Sequence, residues 1–237
     1  MSAQTILAEL AASADPIRAA AGQRYFKTGP GQYGAGDIFI GVTVPVVRLI
    51  AKRHRSLVLD EIEPLLASPL HEARLTGLLI MTYAMARADE SGRGALVYFY
   101  LAHTDRINNW DLVDSSASHI LGEYYLTHPG REKLYALAVS SNLWERRIAI
   151  IATFAFIGAG EYGDTLAIAE LLLGDREDLI HKAVGWALRE VGKRDQAAEE
   201  EFLRAHASTM PRTMLRYALE RLSPERRAYY LAARGTL

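Results

Sequence analysis

The chain has 237 residues, with 27 Lys and Arg against 28 Asp and Glu, and half of its residues are hydrophobic. This composition is globular and excludes disordered, collagen-like and coiled-coil chains, and the absence of cysteine excludes disulfides, zinc–thiolate sites and a cysteine nucleophile. Because no apolar run reaches the ~18 residues of a membrane span and the first residues do not resemble a signal peptide, we expect a soluble cytoplasmic protein.

Helical periodicity dominates the chain. A glycine-rich segment, 28–45, with two prolines, interrupts the pattern early and is predicted to be a surface loop. Apolar residues three and four apart then predict helices over 70–85, 109–126, 142–157 and 178–192. Start signals are typical of helix N-termini and occur at Ser68-Pro69, Asp89-Glu90, Ser140-Ser141 and Ser223-Pro224. No Asn-Gly or Asp-Gly turn joins two alternating runs, so we expect no sheet.

The helices recur at a nearly constant period. Equivalent positions just inside the longer apolar helices are separated by 37, 36, 35 and 31 residues, and they are Arg74, Asp111, Arg147, Lys182 and Thr213. A period near 35–45 with two or more helices per unit is typical of HEAT and armadillo solenoids. We therefore predict an all-α solenoid of five or six units in a single domain over 1–237, with Arg74, Arg147 and Lys182 on its inner surface.

Two glycine triplets have the spacing of a dinucleotide-binding loop: Gly29, Gly31, Gly34 and Gly158, Gly160, Gly163. Neither has the strand, turn, helix and second strand that such a fold requires, so we interpret both as plain turns. No two of the seven histidines form the i, i+4 pair with a glutamate that is typical of a helical zinc site. We expect no metal and no cofactor.

The three tryptophans lie in repeat-defining helices beside charged residues. Trp110 shares a helix with Asp111 and Asp114, whereas Lys182 and Arg189 lie one turn to either side of Trp186. Buried packing is the simplest interpretation of a tryptophan, but here indole, carboxylate and cation are predicted to meet on adjacent helices.

Charge is segregated along the chain. The segment 18–55 has seven basic residues and one acid, for a net charge of +6, and 158–178 has one basic residue and six acids, for −5. A nearly neutral total can therefore contain a concave basic groove suited to a phosphate backbone. Ordinary solvated helix faces remain the alternative.

Four segments resemble the AlkD-like DNA alkylation repair family, in order and with matching spacing over nearly the whole chain. They are Arg24-Tyr25-Phe26-Lys27, Trp110-Asp111-Leu112-Val113-Asp114-Ser115, Asn142-Leu143-Trp144-Glu145-Arg146-Arg147 and Lys182-Ala183-Val184-Gly185-Trp186-Ala187-Leu188-Arg189-Glu190. The resemblance implies a HEAT-like glycosylase that excises cationic alkylated purines, such as 3-methyladenine and 7-methylguanine, from duplex DNA without base flipping. It implies that Asp114 is the catalytic carboxylate, that Trp110 and Trp186 line the lesion site, and that Arg147 holds the DNA.

These roles agree with the chemistry. An alkylated purine is already a good leaving group, and positive charge develops on the sugar, where a carboxylate and indole faces stabilise it. Asp111 is expected to support the helix start instead. The expected DNA contacts are Tyr25, Lys27, Arg74, Arg146, Arg147, Lys182 and Arg189.

Two features depart from the family pattern. Asn109-Trp110 supplies one tryptophan where an aromatic pair is expected, and the glycine-rich 28–36 stretch has the character of an insertion. Because some relatives bind DNA without excising bases, a non-catalytic DNA-binding protein and a protein-interaction scaffold remain alternatives. We expect a monomer whose partner is double-stranded alkylated DNA, bacterial in type and associated with the nucleoid.

Overall fold

The computed structural model describes residues 2–232, and over this range the chain is α-helical. Its only β-pairing there is an isolated parallel bridge between Ile38 and Leu70. Two compact units divide between Ile120 and Leu121. The all-α fold with helices packed in repeats is therefore confirmed, whereas the single domain and the concave basic groove stay predictions.

The first unit contains seven helices within the described residues. They are α1 (Ala3–Ala12), α2 (Pro16–Tyr25), α3 (Val44–Arg53), α4 (Leu59–Leu66), α5 (His71–Met85), α6 (Glu90–Ala102) and α7 (Trp110–Asp114). A 3-10 turn, Thr104–Arg106, precedes α7, and a π-helical turn, Ser118–Gly122, follows it. Helix α5 is the centre of this unit, because it packs against α1, α3, α4, α6 and α7 and is buried continuously from His71 to Met81.

The described part of the second unit contains nine helices. They are α8 (Glu123–Thr127), α9 (Glu132–Ala138), α10 (Leu143–Ala152), α11 (Phe154–Ala159), α12 (Gly163–Leu171), α13 (Asp178–Gly192), α14 (Gln196–His206), α15 (Arg212–Ala218) and α16 (Pro224–Ala232), with a 3-10 turn, Leu219–Arg221, after α15. Helix α13 lies between α10 and α15 and contacts both. Gly185 permits the close approach of α15, because a Cβ atom there would collide with Met214 O and the Tyr217 side chain.

Helix stacking follows the periodicity of the sequence inside each unit. Helices α5 and α7, which carry Arg74 and Asp111, are neighbours, as are α10, α13 and α15, which carry Arg147, Lys182 and Thr213. Each of these helices is hydrophobic on the side that faces the next one, so burial of that side explains the repeat.

The glycine-rich segment is more than a surface loop, which corrects the expectation from its composition. Asp37 and Phe39 within it are buried, because the carboxylate of Glu72 on α5 accepts the backbone N–H groups of Ile40 at 3.1 Å and Gly41 at 2.8 Å. Gly41 has a φ of 81°, and a Cβ atom there would collide with Asp15 O. The segment is therefore attached to the core of the first unit.

The second glycine triplet is a turn between helices, as expected. Its first glycine, Gly158, lies in helix α11, where a dinucleotide-binding fold would have a strand, and Gly160 ends that helix in the left-handed conformation with a φ of 83°. This is an ordinary glycine helix terminus. None of the helices between residues 2 and 232 is both long enough and apolar enough to cross a membrane.

Candidate functional site

Helix α7 holds the candidate catalytic pair of the first unit. Its N-cap is Asn109, whose side-chain oxygen accepts the backbone N–H of Trp110 at 2.9 Å, and Asp111 Oδ1 accepts the N–H of Leu112 at 2.9 Å. Trp110 and Asp114 are one helical turn apart and both are half-buried. An indole and a carboxylate therefore share one side of a short, well-capped helix.

A stack of rings packs against Trp110, and it is compact, because Phe26 also contacts the imidazole of His71 with ring centroids 5.2 Å apart. Its indole is stacked on Phe26 with centroids 5.2 Å apart, Phe26 is stacked on Phe39 at 4.7 Å, and Phe39 is stacked on the imidazole of His71 at 4.2 Å. The exposed ring of Tyr25 meets the indole edge-on at 6.0 Å. Consecutive rings of this stack are within 16–21° of parallel, so the orientation of Trp110 depends on side chains from α2, the glycine-rich segment and α5.

Beneath the stack lies a buried charge cluster, formed by Asp37, His71, Arg74, Asn109 and Asp111. His71 Nδ1 is 2.9 Å from Asp37 Oδ2, and His71 Nε2 is 2.8 Å from Asp111 Oδ2. Arg74 forms an ion pair with Asp37 and donates to Ser68 O at 2.9 Å, and Asn109 Nδ2 donates to Asp37 at 2.9 Å.

The pKa values of the cluster show which charges it favours. Burial by itself would lower the pKa of His71, but hydrogen bonds to Asp111 and Asp37 and their negative charges raise it to about 9. Burial would likewise raise the pKa of Asp37, yet the hydrogen bond and charge of His71, assisted by Arg74 and Asn109, lower it. The cluster therefore holds His71 protonated and Asp37 ionised at neutral pH.

Asp114 lies above a buried hydroxyl pair. The Tyr100 hydroxyl is 2.9 Å from Ser116 Oγ, and Ser116 Oγ donates to Leu112 O at 2.6 Å. Burial raises the pKa of Tyr100, and the charge of Asp114 raises it further. The half-buried Asp114 therefore lies close enough to the core of the unit for its charge to act on Tyr100.

Tyr25 and Lys27 are exposed near Trp110, at the end of α2. Tyr25 is 66% exposed. Lys27 has the left-handed φ of 52°, and its Nζ lies 5.8 Å from the centre of the Tyr33 ring. Both side chains can therefore reach a ligand that approaches Trp110.

The two arginines of α10, Arg146 and Arg147, form hydrogen bonds within the protein. Arg147 is 5% exposed and donates to Leu179 O at 2.6 Å. Arg146 donates to Asp175 at 2.6 Å and to Ser140 O at 2.9 Å. These guanidinium groups tie the start of α10 to the chain that enters α13.

On α13, Trp186 is half-buried, meets Phe154 edge-on at 4.6 Å and donates from Nε1 to Glu190 at 3.1 Å. Arg189 forms an ion pair with Glu220. Lys182 lies 2.8 Å from Asp178, and its side chain is 40% exposed. Of these two cations, the lysine is therefore the more accessible to a ligand.

The surface location predicted for Arg74 is wrong. Its side chain is 3% exposed and is held by Asp37 and a carbonyl group. Sequence reasoning also missed His71, Asp37 and Phe39 as parts of the site. The one available signal was Asp37 itself, the only acid among the seven basic residues of 18–55.

Comparison with known proteins agrees with this architecture. The model of the DNA alkylation repair enzyme family matches residues 6–222, and no curated protein sequence matches the chain. Among solved structures, a protein described as a "Predicted DNA alkylation repair enzyme from Enterococcus faecalis" superposes with a TM-score of 0.70 at 18% identity, covering 90% of this chain and 98% of that one. At this identity the superposition supports the fold alone, whereas the family match covers most of the sequence. The chain belongs to the DNA alkylation repair enzyme family.

Proposed function

We propose that the protein is a DNA glycosylase that hydrolyses the N-glycosidic bond of cationic alkylated purines, such as 3-methyladenine and 7-methylguanine, in duplex DNA without flipping the base. The observation that carries this proposal is the pair on α7. Trp110 and Asp114 are half-buried, one turn apart, beside the exposed Tyr25.

The chemistry requires little from the protein beyond charge and shape. A purine alkylated on a ring nitrogen is a cation, so it leaves as a neutral base and needs no strong acid. The sugar then acquires positive charge, which a fixed carboxylate and an indole face stabilise. Asp114 supplies the carboxylate and positions the attacking water, and Trp110 supplies the indole. Trp186 is the second indole that the family resemblance implies.

Asp111 does not fit the catalytic role, although it is also a carboxylate of α7. One of its oxygens accepts the N–H of Leu112 and the other pairs with the His71 imidazolium. Its charge is therefore neutralised within the protein, as expected of a residue that supports the helix start.

DNA contact is assigned to the more exposed members of the predicted set, Tyr25, Lys27 and Lys182. Lys27 and Lys182 are charged and accessible, which is what counterion release at a phosphate requires. Arg74, Arg146, Arg147 and Arg189 instead hold the helices that carry the site, because each bonds to a carboxylate or a carbonyl group of the protein. Lys182 also pairs with a carboxylate, Asp178, but its side chain is more exposed than those of the four arginines.

The deciding experiment is release of 7-methylguanine from a methylated duplex under single-turnover conditions. Asp114→Asn keeps the shape of the side chain but removes the charge opposite the sugar cation. We expect the rate to fall on the order of ten- to a thousandfold, with duplex affinity unchanged or slightly higher because an anion has been removed near phosphates.

Asp105→Asn is the matched control, because this exposed carboxylate lies in the 3-10 turn just before α7. It should excise at the wild-type rate. DNA binding with no base release by the wild-type protein would support the non-catalytic alternative. Absence of salt-dependent binding would support a protein-interaction scaffold. Wild-type excision by Asp114→Asn would refute the assigned mechanism.

A further inference from the structure

The buried charge cluster of the first unit has a feature that the proposed reaction does not use. His71, at 1% exposure, has a carboxylate within hydrogen-bond distance of each ring nitrogen, Asp37 at Nδ1 and Asp111 at Nε2. An ionised carboxylate accepts hydrogen bonds and cannot donate one. Both ring nitrogens must therefore carry a proton, and His71 is an imidazolium.

The charges around this imidazolium balance. Two aspartates, Asp37 and Asp111, face the two cations, His71 and Arg74, and the amide of Asn109 completes the shell of Asp37. Loss of the His71 proton would leave two carboxylates with one cation in a dry interior, which is costly.

Each partner of His71 belongs to a different part of the unit. Asp37 belongs to the glycine-rich segment and Asp111 to the first turn of α7, whereas His71 begins α5. The backbone supports the same junction, because His71 N donates to Ile38 O at 2.8 Å. One imidazole thus connects the glycine-rich segment, α5 and α7.

The ring of His71 acts on Trp110 by a second route. It packs against both Phe39 and Phe26, and Phe26 is stacked on Trp110. The edge of the imidazole holds the helix that carries Trp110, and its face supports the rings beneath the indole. A shift of His71 would therefore move both the indole and the helix that carries Asp114.

We propose that His71 is a positioning residue that, by bridging Asp37 and Asp111, fixes Trp110 and the first turn of α7 for the excision reaction. This inference rests on the proposed glycosylase function. It also makes excision depend on the protonation of a group that never touches DNA.

The test combines two variants of the cluster and one control variant outside it with single-turnover release of 7-methylguanine from pH 6 to pH 10, corrected for release without enzyme. In His71→Gln one amide group replaces two donors, so one carboxylate faces an oxygen and the cluster has a net charge of −1. We expect the wild-type rate to decline as pH rises through about 9, where His71 loses its proton. In His71→Gln we expect the rate to be about tenfold lower or more and this decline to be absent, while duplex affinity changes less than threefold.

Rescue separates positioning from general loss of structure. In His71→Gln with Asp111→Asn the cluster is neutral again and the two amides can bond, so we expect most of the lost rate to return. His103→Gln is the control, because His103 lies in the same unit but packs against Phe99, with ring centroids 4.2 Å apart, outside the cluster. It should behave as wild type.

Nuclear magnetic resonance gives a readout that does not require catalysis. The imidazole signals that vanish in His71→Gln should titrate near pH 9 in the wild-type protein, and Asp111→Asn should lower this midpoint. The indole N–H signal of Trp110 should move in His71→Gln but not in His103→Gln.

A wild-type rate and pH profile in His71→Gln, or an unmoved Trp110 signal, would overturn the positioning role. A failed rescue in a double variant that unfolds at the wild-type urea concentration would overturn it as well. If the wild-type protein releases no base, the glycosylase proposal fails, and the titration and the indole signal alone then decide whether His71 positions Trp110.

Discussion

Two carboxylates on one short helix have opposite surroundings. Asp111 is bonded to His71 and to a backbone N–H, so its charge is used within the protein. Asp114 is half-buried, and its charge adds to the effect of burial in raising the pKa of Tyr100. Spacing in the sequence places both on the same helix, but it does not show that Asp111 pairs with the His71 imidazole and supports the helix start.

Glu199 is a carboxylate whose surroundings disfavour its negative charge. It is 2% exposed on α14, and burial followed by the charge of Glu200 raises its pKa to about 8. A raised carboxyl pKa destabilises the folded state as pH rises from the ordinary value near 4.5 towards 8, because the folded protein resists losing the proton. We therefore expect Glu199→Gln to increase the free energy of unfolding at pH 9, on the order of 2–4 kcal/mol.

Urea unfolding at pH 5 and pH 9 checks this prediction. The gain should be small at pH 5, where Glu199 is protonated in the folded protein. Glu201→Gln, an exposed position on the same helix, should show no comparable pH dependence. Equal gains at both pH values would indicate that the pKa of Glu199 is not raised.

The His71 junction was beyond sequence reasoning for a physical reason. A single histidine at a helix start has no pattern, and its partners Asp37 and Asp111 are 34 and 40 residues away. The α7 site could be predicted from the sequence, because residues four apart in a helix, such as Trp110 and Asp114, lie on the same side. Contacts between a glycine-rich segment and two helices depend on tertiary packing that periodicity does not encode.

At the scale of helices, periodicity succeeded where one helix is buried along one continuous side. The predictions for 70–85 and 178–192 match α5 and α13 to within one residue. The prediction for 109–126 is wrong in its continuity, because α7 ends at Asp114 and a π-helical turn follows at Ser118–Gly122. Gly122 lies so close to α10 that a Cβ atom would collide with Ala152 O. Such close packing cannot be read from the spacing of apolar residues, so periodicity alone predicted one continuous helix.

Arg147 illustrates the same limit for charged residues. Its position in the first turn of α10 predicted a DNA contact, but its guanidinium is buried and donates to Leu179 O in α13. We expect Arg147→Ala to lower the free energy of unfolding by about 1–3 kcal/mol, since the partly buried Leu179 carbonyl loses its donor. The salt dependence of DNA binding should change little.

Urea unfolding and a salt titration of duplex affinity separate the two roles of Arg147. Arg176→Ala, an exposed arginine just before α13, should leave the free energy of unfolding unchanged. If Arg147→Ala keeps wild-type stability and lowers the salt slope by about one unit, Arg147 contacts a phosphate and the structural role is wrong.

For the whole molecule, a net charge of −1 says little about DNA binding, because most of the predicted contact arginines are already paired with carboxylates or carbonyl groups. Phosphate binding then depends on accessible cations, of which Lys27 in the first unit and Lys182 in the second are the predicted members. Each phosphate neutralised contributes about one unit to the slope of log affinity against log salt. The slope therefore measures how many cations contact phosphates, and this measurement requires no assumption about the shape of the DNA-binding surface.

We expect Lys27→Gln and Lys182→Gln each to lower this slope by about one unit, and the double variant to lower it by about two, because glutamine keeps much of the side-chain length but releases no counterion. Lys133→Gln, an exposed lysine on α9 outside the predicted set, is the matched control and should leave the slope unchanged. The measurement is fluorescence anisotropy of a labelled undamaged duplex from 50 to 200 mM salt. A double variant whose slope falls no further than that of either single variant would indicate that the two lysines do not act as separate phosphate contacts, and the assignment of both to DNA binding would then be wrong.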